Sequence, residues 1–196
     1  RQNNTGLGYN ALYANSSGGN NTALGANALQ SNTTTNNSTA VGYYALAGST
    51  VAGNTAVGTQ AGQSVSSGGE NTLVGFLAGR PSAGNATTTG ANNTFIGARA
   101  GQASATQRSN ATAVGANATV DASNVVVLGD TAVTDVLAGS AAGATVNAGK
   151  FKLSALNTAP ANAAATGTAG EIRVTATAIY VCIATDTWVK ADLATW

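Results

Sequence analysis

Eight imperfect copies of one short pattern run through the first two-thirds of the sequence, and they restrict the fold more than any other feature. The clearest copy is Asn54-Thr55-Ala56-Val57-Gly58-Thr59-Gln60-Ala61. It reads Asn-Thr, a small residue, an aliphatic residue, Gly, two variable residues and Ala. The glycines of the copies are Gly8, Gly25, Gly42, Gly58, Gly75, Gly97, Gly115 and Gly129. An aliphatic residue precedes each one: Leu7, Leu24, Val41, Val57, Val74, Ile96, Val114 and Leu128. An alanine follows three residues later, at Ala11, Ala28, Ala45, Ala61, Ala78, Ala100, Ala118 and Ala132. The glycine-to-glycine intervals are 17, 17, 16, 17, 22, 18 and 14 residues. A register that survives such uneven connections predicts stacked coils, a solenoid, rather than a compact globule.

Strand geometry assigns the faces. The Thr and the aliphatic residue of a copy are two apart and share one face of a strand. The residue between them (Gly6, Ala23, Ala40, Ala56, Leu73, Phe95, Ala113, Val127) takes the other face. Both faces are apolar or small, as in strands buried on both sides. One face is expected to point into the coil and the other to meet a neighbouring subunit. The glycine supplies a sharp bend. The alanine after it is expected to open a second short strand, where a larger side chain would strike the next coil. The Asn-Thr pairs have two readings: hydrogen-bonded ladders between coils, or simple turn formers. The ladder accounts better for their fixed offset from the buried residue.

Composition agrees with stacking. The 196 residues hold 25 glycines, 8% charged and 5% aromatic residues, and neither His nor Met. So few large side chains make a deep core within one copy difficult, and burial is expected from coil stacking and from identical neighbours. The strict register argues against disorder, which low charge and many small residues would otherwise suggest. A net charge of +1 gives no footprint for nucleic acid or an anionic membrane. No apolar run is long enough for a spanning helix. The chain opens at Arg1 inside a repeat with neither Met nor signal peptide, as expected of the processed or ordered part of a longer protein.

Three regions are expected: repeats over 1–133, a neck or linker over 134–149, and a C-terminal β domain over 150–196. Alternation resumes at Phe151 and Leu153. Strands are then expected over 171–174 and 179–184, with Asp186-Thr187 turning into Trp188-Val189-Lys190. The connections between copies are rich in Gly, Ser, Asn and Thr. The longest contains Arg80-Pro81-Ser82-Ala83-Gly84-Asn85-Ala86-Thr87-Thr88-Thr89. Such insertions either emerge on a binding face or reflect drift in solvent-exposed loops.

The repeats, most clearly Val57-Gly58-Thr59-Gln60-Ala61 and Val114-Gly115-Ala116-Asn117-Ala118, resemble the heads of trimeric autotransporter adhesins of the YadA type. They also look like related repeats in phage tail fibres and in trimeric adhesive fibres of predatory bacteria. The resemblance covers about residues 4–133, with longer and less regular spacing here. It implies an all-β fold, a left-handed parallel β-roll in which three chains pack through the aliphatic column Leu7 to Leu128. The tail is similar to short C-terminal β segments of phage tail fibres through Gly170-Glu171-Ile172-Arg173, Tyr180-Val181-Cys182 and Trp188. That similarity implies a small domain that ties the trimer together or caps its open edge, as an exposed strand edge requires.

Chemistry is sparse. Without His there is no Ser-His-Asp triad, Cys-His pair or His-containing metal site, and the single cysteine, Cys182, makes no cysteine-based one. No cofactor or metal is expected. Gly6-Leu7-Gly8-Tyr9-Asn10-Ala11 meets a relaxed dinucleotide pattern but sits inside the repeat, with no acidic partner downstream. A glycan-cleaving carboxylate pair would have to come from Glu70, Asp121, Asp130, Asp135, Glu171, Asp186 and Asp192, of which only Glu70 lies in the first 120 residues. The expectation is binding without catalysis. Tyr9, Tyr43 and Phe76 follow the glycine in alternate copies, either as an exposed ridge suited to sugar rings or as plugs in the bend, the commoner role at such corners. Tyr13, Tyr44, Arg80, Arg99 and Arg108 lie in or beside the loops and complete the candidate binding set.

The resemblance thus leads to a homotrimeric adhesion or receptor-binding fibre, at a virion tail or a bacterial cell surface, for a surface glycan or protein. A phage fibre is the first reading and a bacterial surface adhesin the second. A purely structural extracellular filament is a different class. An ice- or mineral-binding solenoid is a fourth, weakened because its Thr rows would belong to the buried face.

Overall fold

The structure is a computed structural model and describes residues 3–80, 86–133, 158–167 and 169–194. It is all-β and divides into two compact units, Arg1–Leu137 and Ala138–Trp196. The expected neck over 134–149, the alternation at Phe151 and Leu153, residues 81–85 of the long insertion and Asp135 fall outside the described residues.

The first unit is a parallel solenoid. Its strands are β1 (Thr5–Leu7), β2 (Thr22–Leu24), β3 (Thr39–Val41), β4 (Thr55–Val57), β5 (Thr72–Val74), β6 (Thr94–Ile96), β7 (Gly101–Gln102), β8 (Thr112–Val114), β9 (Thr119–Val120) and β10 (Val126–Leu128). Eight of them form one sheet in the order β1-β2-β3-β4-β5-β6-β8-β10, one strand per coil, so the backbone makes about seven turns. Register is kept without a slip: Thr55 pairs with Thr39 and Thr72, and Val57 with Val41 and Val74. The middle residue of each inner strand points inward, so that Ala23, Ala40, Ala56, Leu73, Phe95 and Ala113 are fully buried. Thr and the aliphatic residue point outward.

The second side of the coil differs from expectation. Among the described residues only coils 6 and 7 carry a second strand there, as the pair β7 and β9. In all of the first seven coils Gly-x-x-Ala is itself a turn, closed by the Ala N–H donating to the Gly carbonyl, as in Ala61 to Gly58 at 3.2 Å. The residue two after the glycine is left-handed in Asn10, Asn27, Tyr44, Gln60, Leu77, Arg99 and Asn117. So is the residue four after it in Leu12, Leu29, Leu46, Gly62 and Gly79. Two left-handed positions so close together break any strand. The coils still bond to one another here, for example Leu29 N–H to the Ala45 carbonyl at 3.1 Å.

The glycine column is dictated by stacking. Gly58 has φ +134°, and a methyl group on it would stand 2.5 Å from the Gly75 carbonyl oxygen of the next coil. Gly8, Gly25, Gly42, Gly75 and Gly97 face the same obstruction.

Core volume is shared between two positions. Where the inward strand residue is small (Gly6, Ala23, Ala40), the residue four past the glycine is Leu12, Leu29 or Leu46. Where it is Leu73 or Phe95, that position is Gly79 or Gly101. In coil 4 both positions are small (Ala56, Gly62). A side chain on Gly62 would meet Leu73 Cδ1 at 2.7 Å and Leu46 Cδ2 at 2.9 Å, so neighbouring coils fill that space. Close packing at nearly constant cross-section follows.

An asparagine ladder replaces an oily core at one corner. The buried Asn71 accepts the Asn93 N–H on Oδ1 at 3.0 Å and donates Nδ2 to the Gly90 carbonyl at 2.9 Å. Asn4, Asn21, Asn54 and Asn93 repeat this, each accepting from the next coil and donating to a connection carbonyl. The expected ladder therefore exists, made by Asn and not by Thr, and it runs mainly from side chain to main chain, with one side-chain bond from Asn71 Nδ2 to Asn54 Oδ1 at 3.1 Å. In coil 3 Ser38 stands in the column, and its Oγ is buried without a hydrogen-bond partner.

The second unit holds a three-stranded antiparallel sheet, β11 (Ile172–Val174), β12 (Ala178–Ala184) and β13 (Thr187–Asp192), so the expected two strands are joined by a third beyond the Asp186 turn. Trp188 is its centre. Its Nε1–H donates to the Ala165 carbonyl at 2.8 Å, and the Arg173 guanidinium lies over the ring at 4.6 Å from the centroid. Gly167 packs so closely that a methyl there would be 2.4 Å from Trp188 Cζ2. The residues that carry the tail resemblance are thus the framework of this sheet.

Candidate binding surface

The same turn that bends each coil aims its side chains. The residue after the glycine stands outside the corner, so Tyr9, Tyr43 and Phe76 are 76%, 51% and 47% exposed. They do not plug the bend; the inward leucines and alanines already fill it. Ala26 and Thr59 occupy the same position in the coils between. The Tyr44 ring meets Tyr43 edge-on, with centroids 4.5 Å apart at 82°. Arg99, one coil beyond Phe76, places its guanidinium 5.8 Å from that ring's centroid. Five candidates therefore gather along one corner: Tyr9, Tyr43, Tyr44, Phe76 and Arg99.

The other three do not join them. Tyr13 and Arg80 lie five residues past their glycines, beyond the turn. Arg80 Nη1 donates to Gln63 Oε1 of the preceding coil at 3.0 Å. Arg108 is half-buried in a connection, where its carbonyl accepts Asn93 Nδ2 at 2.8 Å.

Sequence reading missed Gln107. Its Oε1 accepts the consecutive N–H groups of Thr88, Thr89 and Gly90 at 2.8, 3.0 and 3.3 Å, and its Nε2 donates to Ala86 and Ala105 carbonyls. Three converging amides form a small anion-like nest, here filled by an uncharged amide. The return limb of the long insertion is pinned by it. Nothing in the spacing of a lone glutamine signals this.

Beside the corner runs the aliphatic column. Leu7, Leu24, Val57, Ile96, Val114 and Leu128 are between 37% and 67% exposed, and Val41 and Val74 are half-buried. With the Thr rows it forms a stripe about 34 Å long at the usual strand spacing. The second unit has an equivalent feature. Ile172, Val181 and Val189 pair across its sheet, as do Val174, Ile179 and Ala191, so one face is aliphatic apart from Thr187 at the start of β13. Ile172, Ile183 and Val189 on that face are exposed. Arg173, Tyr180 and Lys190 share the opposite face, where a cavity of about 250 Å³ is lined by Pro160, Asn162, Tyr180, Trp188 and Lys190. Lys190 pairs with Asp192, whose hydrogen bond and charge raise its pKa.

Among the described residues no group of three or more Cys, Asp or Glu is placed to hold a metal, and no helix is long and apolar enough to cross a membrane. No protein-family model matches the sequence, and neither a curated protein nor a solved structure matches it.

Proposed function

We propose that this chain is part of a homotrimeric fibre that attaches to a surface glycan or protein, with a phage tail fibre as the first reading. The observation that carries it is the aliphatic column: one outward side chain per coil through eight coils, without a charged interruption. Water-exposed apolar stripes of this length are characteristic of subunit contacts. The aliphatic face of the C-terminal sheet gives a second seam of the same kind. Three left-handed rolls joined along the column, as in YadA-type heads, would bury the column. The mechanism is multivalent: weak sites repeated by threefold symmetry gain avidity. Binding rather than catalysis is the reading, because the side chains gathered along the corner are aromatic rings and one guanidinium and not paired acids. No nucleic acid or membrane is invoked.

A lattice-binding monomer is the second reading, since the Thr rows face outward beside the aliphatic column. The two separate in solution. The fibre reading expects a trimer that is retained on surface polysaccharide or whole bacterial cells, with retention lost when residues 76–93 are exchanged. A monomer with thermal hysteresis would overturn it, and a trimer retained on no surface would leave only a spacer filament.

A further inference from the structure

We infer that the Tyr9–Tyr43–Phe76 corner is a ladder for an extended, uncharged β-1,4-linked polysaccharide lying along the solenoid axis. This rests on the adhesive reading above and names its ligand class. Three observations carry it. First, the exposed rings occur in coils 1, 3 and 5, and Ala26 and Thr59 leave gaps in coils 2 and 4. Coils a strand spacing apart put the rings about 9.6 Å from one another. Two pyranose residues in an extended β-1,4-linked chain span nearly the same distance, so alternate sugars can stack on successive rings while those between lie over the gaps.

Second, the column beside the rings carries the half-buried amides Asn10 and Gln60, with Tyr44 and Leu77 in the same file and the buried Asn27 behind it, next to the exposed Thr59 hydroxyl. Asn10 Nδ2 donates to Asn27 Oδ1 at 3.4 Å, which orients the Asn10 amide on the first coil. Such groups match the hydroxyl edge of a sugar. Third, through the first seven coils Arg99 is the only charge in these two columns, and it sits over Phe76, closing the track. A nearly neutral track disfavours nucleic acid and acidic chains. A proline helix has a repeat of about 9.3 Å, but such helices seat in aromatic-lined grooves, and here the rings stand in single file.

The test is calorimetric titration of the full chain with β-1,4-linked gluco-oligosaccharides from disaccharide to hexasaccharide. The α-1,4-linked series and a proline-rich peptide serve as controls. Affinity should climb with length until three rings are spanned, and the curved α-linked series should not bind. Tyr43→Ala should weaken the longest ligand about tenfold, Thr59→Trp should block it by filling a gap, and Tyr13→Ala should change nothing. All three sites are surface positions, so unchanged circular dichroism will certify the variants. Equal binding of α-linked chains, no length dependence, preference for the peptide, or protection of Tyr43 from iodide quenching in the native assembly would overturn the ladder. If Tyr43→Ala and Phe76→Ala leave retention on cells intact, the ladder falls and the adhesive reading stands. If the unaltered chain is retained on no surface, the adhesive reading falls as well.

Discussion

The two units of this chain solve the same problem with opposite materials. The solenoid builds its interior from alanine, glycine and amide groups, and each coil is specified by the one beside it. The C-terminal sheet is organised by a single large side chain, Trp188, held by Ala165, Gly167 and Arg173. Repetition distributes stability over many equivalent contacts, whereas a small antiparallel sheet concentrates it. Yet each unit leaves one aliphatic face outward. Small side chains on one side and a short chain on the other are both insufficient to close a core alone.

Breaking the repeat should have the largest effect. Gly58→Val combines a β-branched residue at φ +134° with a collision against Gly75, and should cost about 5 kcal/mol or more. Loss of the solenoid's β signal in circular dichroism checks this. Trp188→Ala should cost about 3–5 kcal/mol in the C-terminal sheet only, leaving the solenoid's thermal transition in place. A shared loss of both transitions would mean that the units do not differ as described.

Smaller changes sharpen the contrast. Asn71→Ala strands the Asn93 N–H and the Gly90 carbonyl in a dry site, and should destabilise the solenoid by about 1–3 kcal/mol in chemical denaturation. Ser38→Asn runs the other way. It restores the ladder where Ser38 Oγ is buried without a partner, and should add about 1 kcal/mol.

Register was legible in the sequence because Gly58 and its equivalents are the only residue type their stacking tolerates. The inward and outward faces were legible from the period of two in Thr55-Ala56-Val57. The second side of the coil was not. Its left-handed positions are occupied by Asn10, Tyr44, Gln60, Leu77 and Arg99, a set with no common turn signature. The volume exchange between Leu46 and Leu73, or between Ala40 and Phe95, is visible only once the coils are superposed. The partners of the Asn ladder lie between 14 and 19 residues away in connections of different length, so no fixed spacing reveals them. Of the candidate binding residues, spacing grouped Tyr9, Tyr43 and Phe76 correctly. Only the turn geometry shows that they point outward, and that Tyr13, Arg80 and Arg108 stand elsewhere.

The outward aliphatic column is the feature on which the fibre reading depends, and sedimentation equilibrium of the full chain tests it most directly. A mass three times the 19.0 kDa chain, falling to the monomer on Val57→Lys and Val74→Lys together, is the predicted result. A stable, soluble monomer for the unaltered chain at micromolar concentration would contradict it.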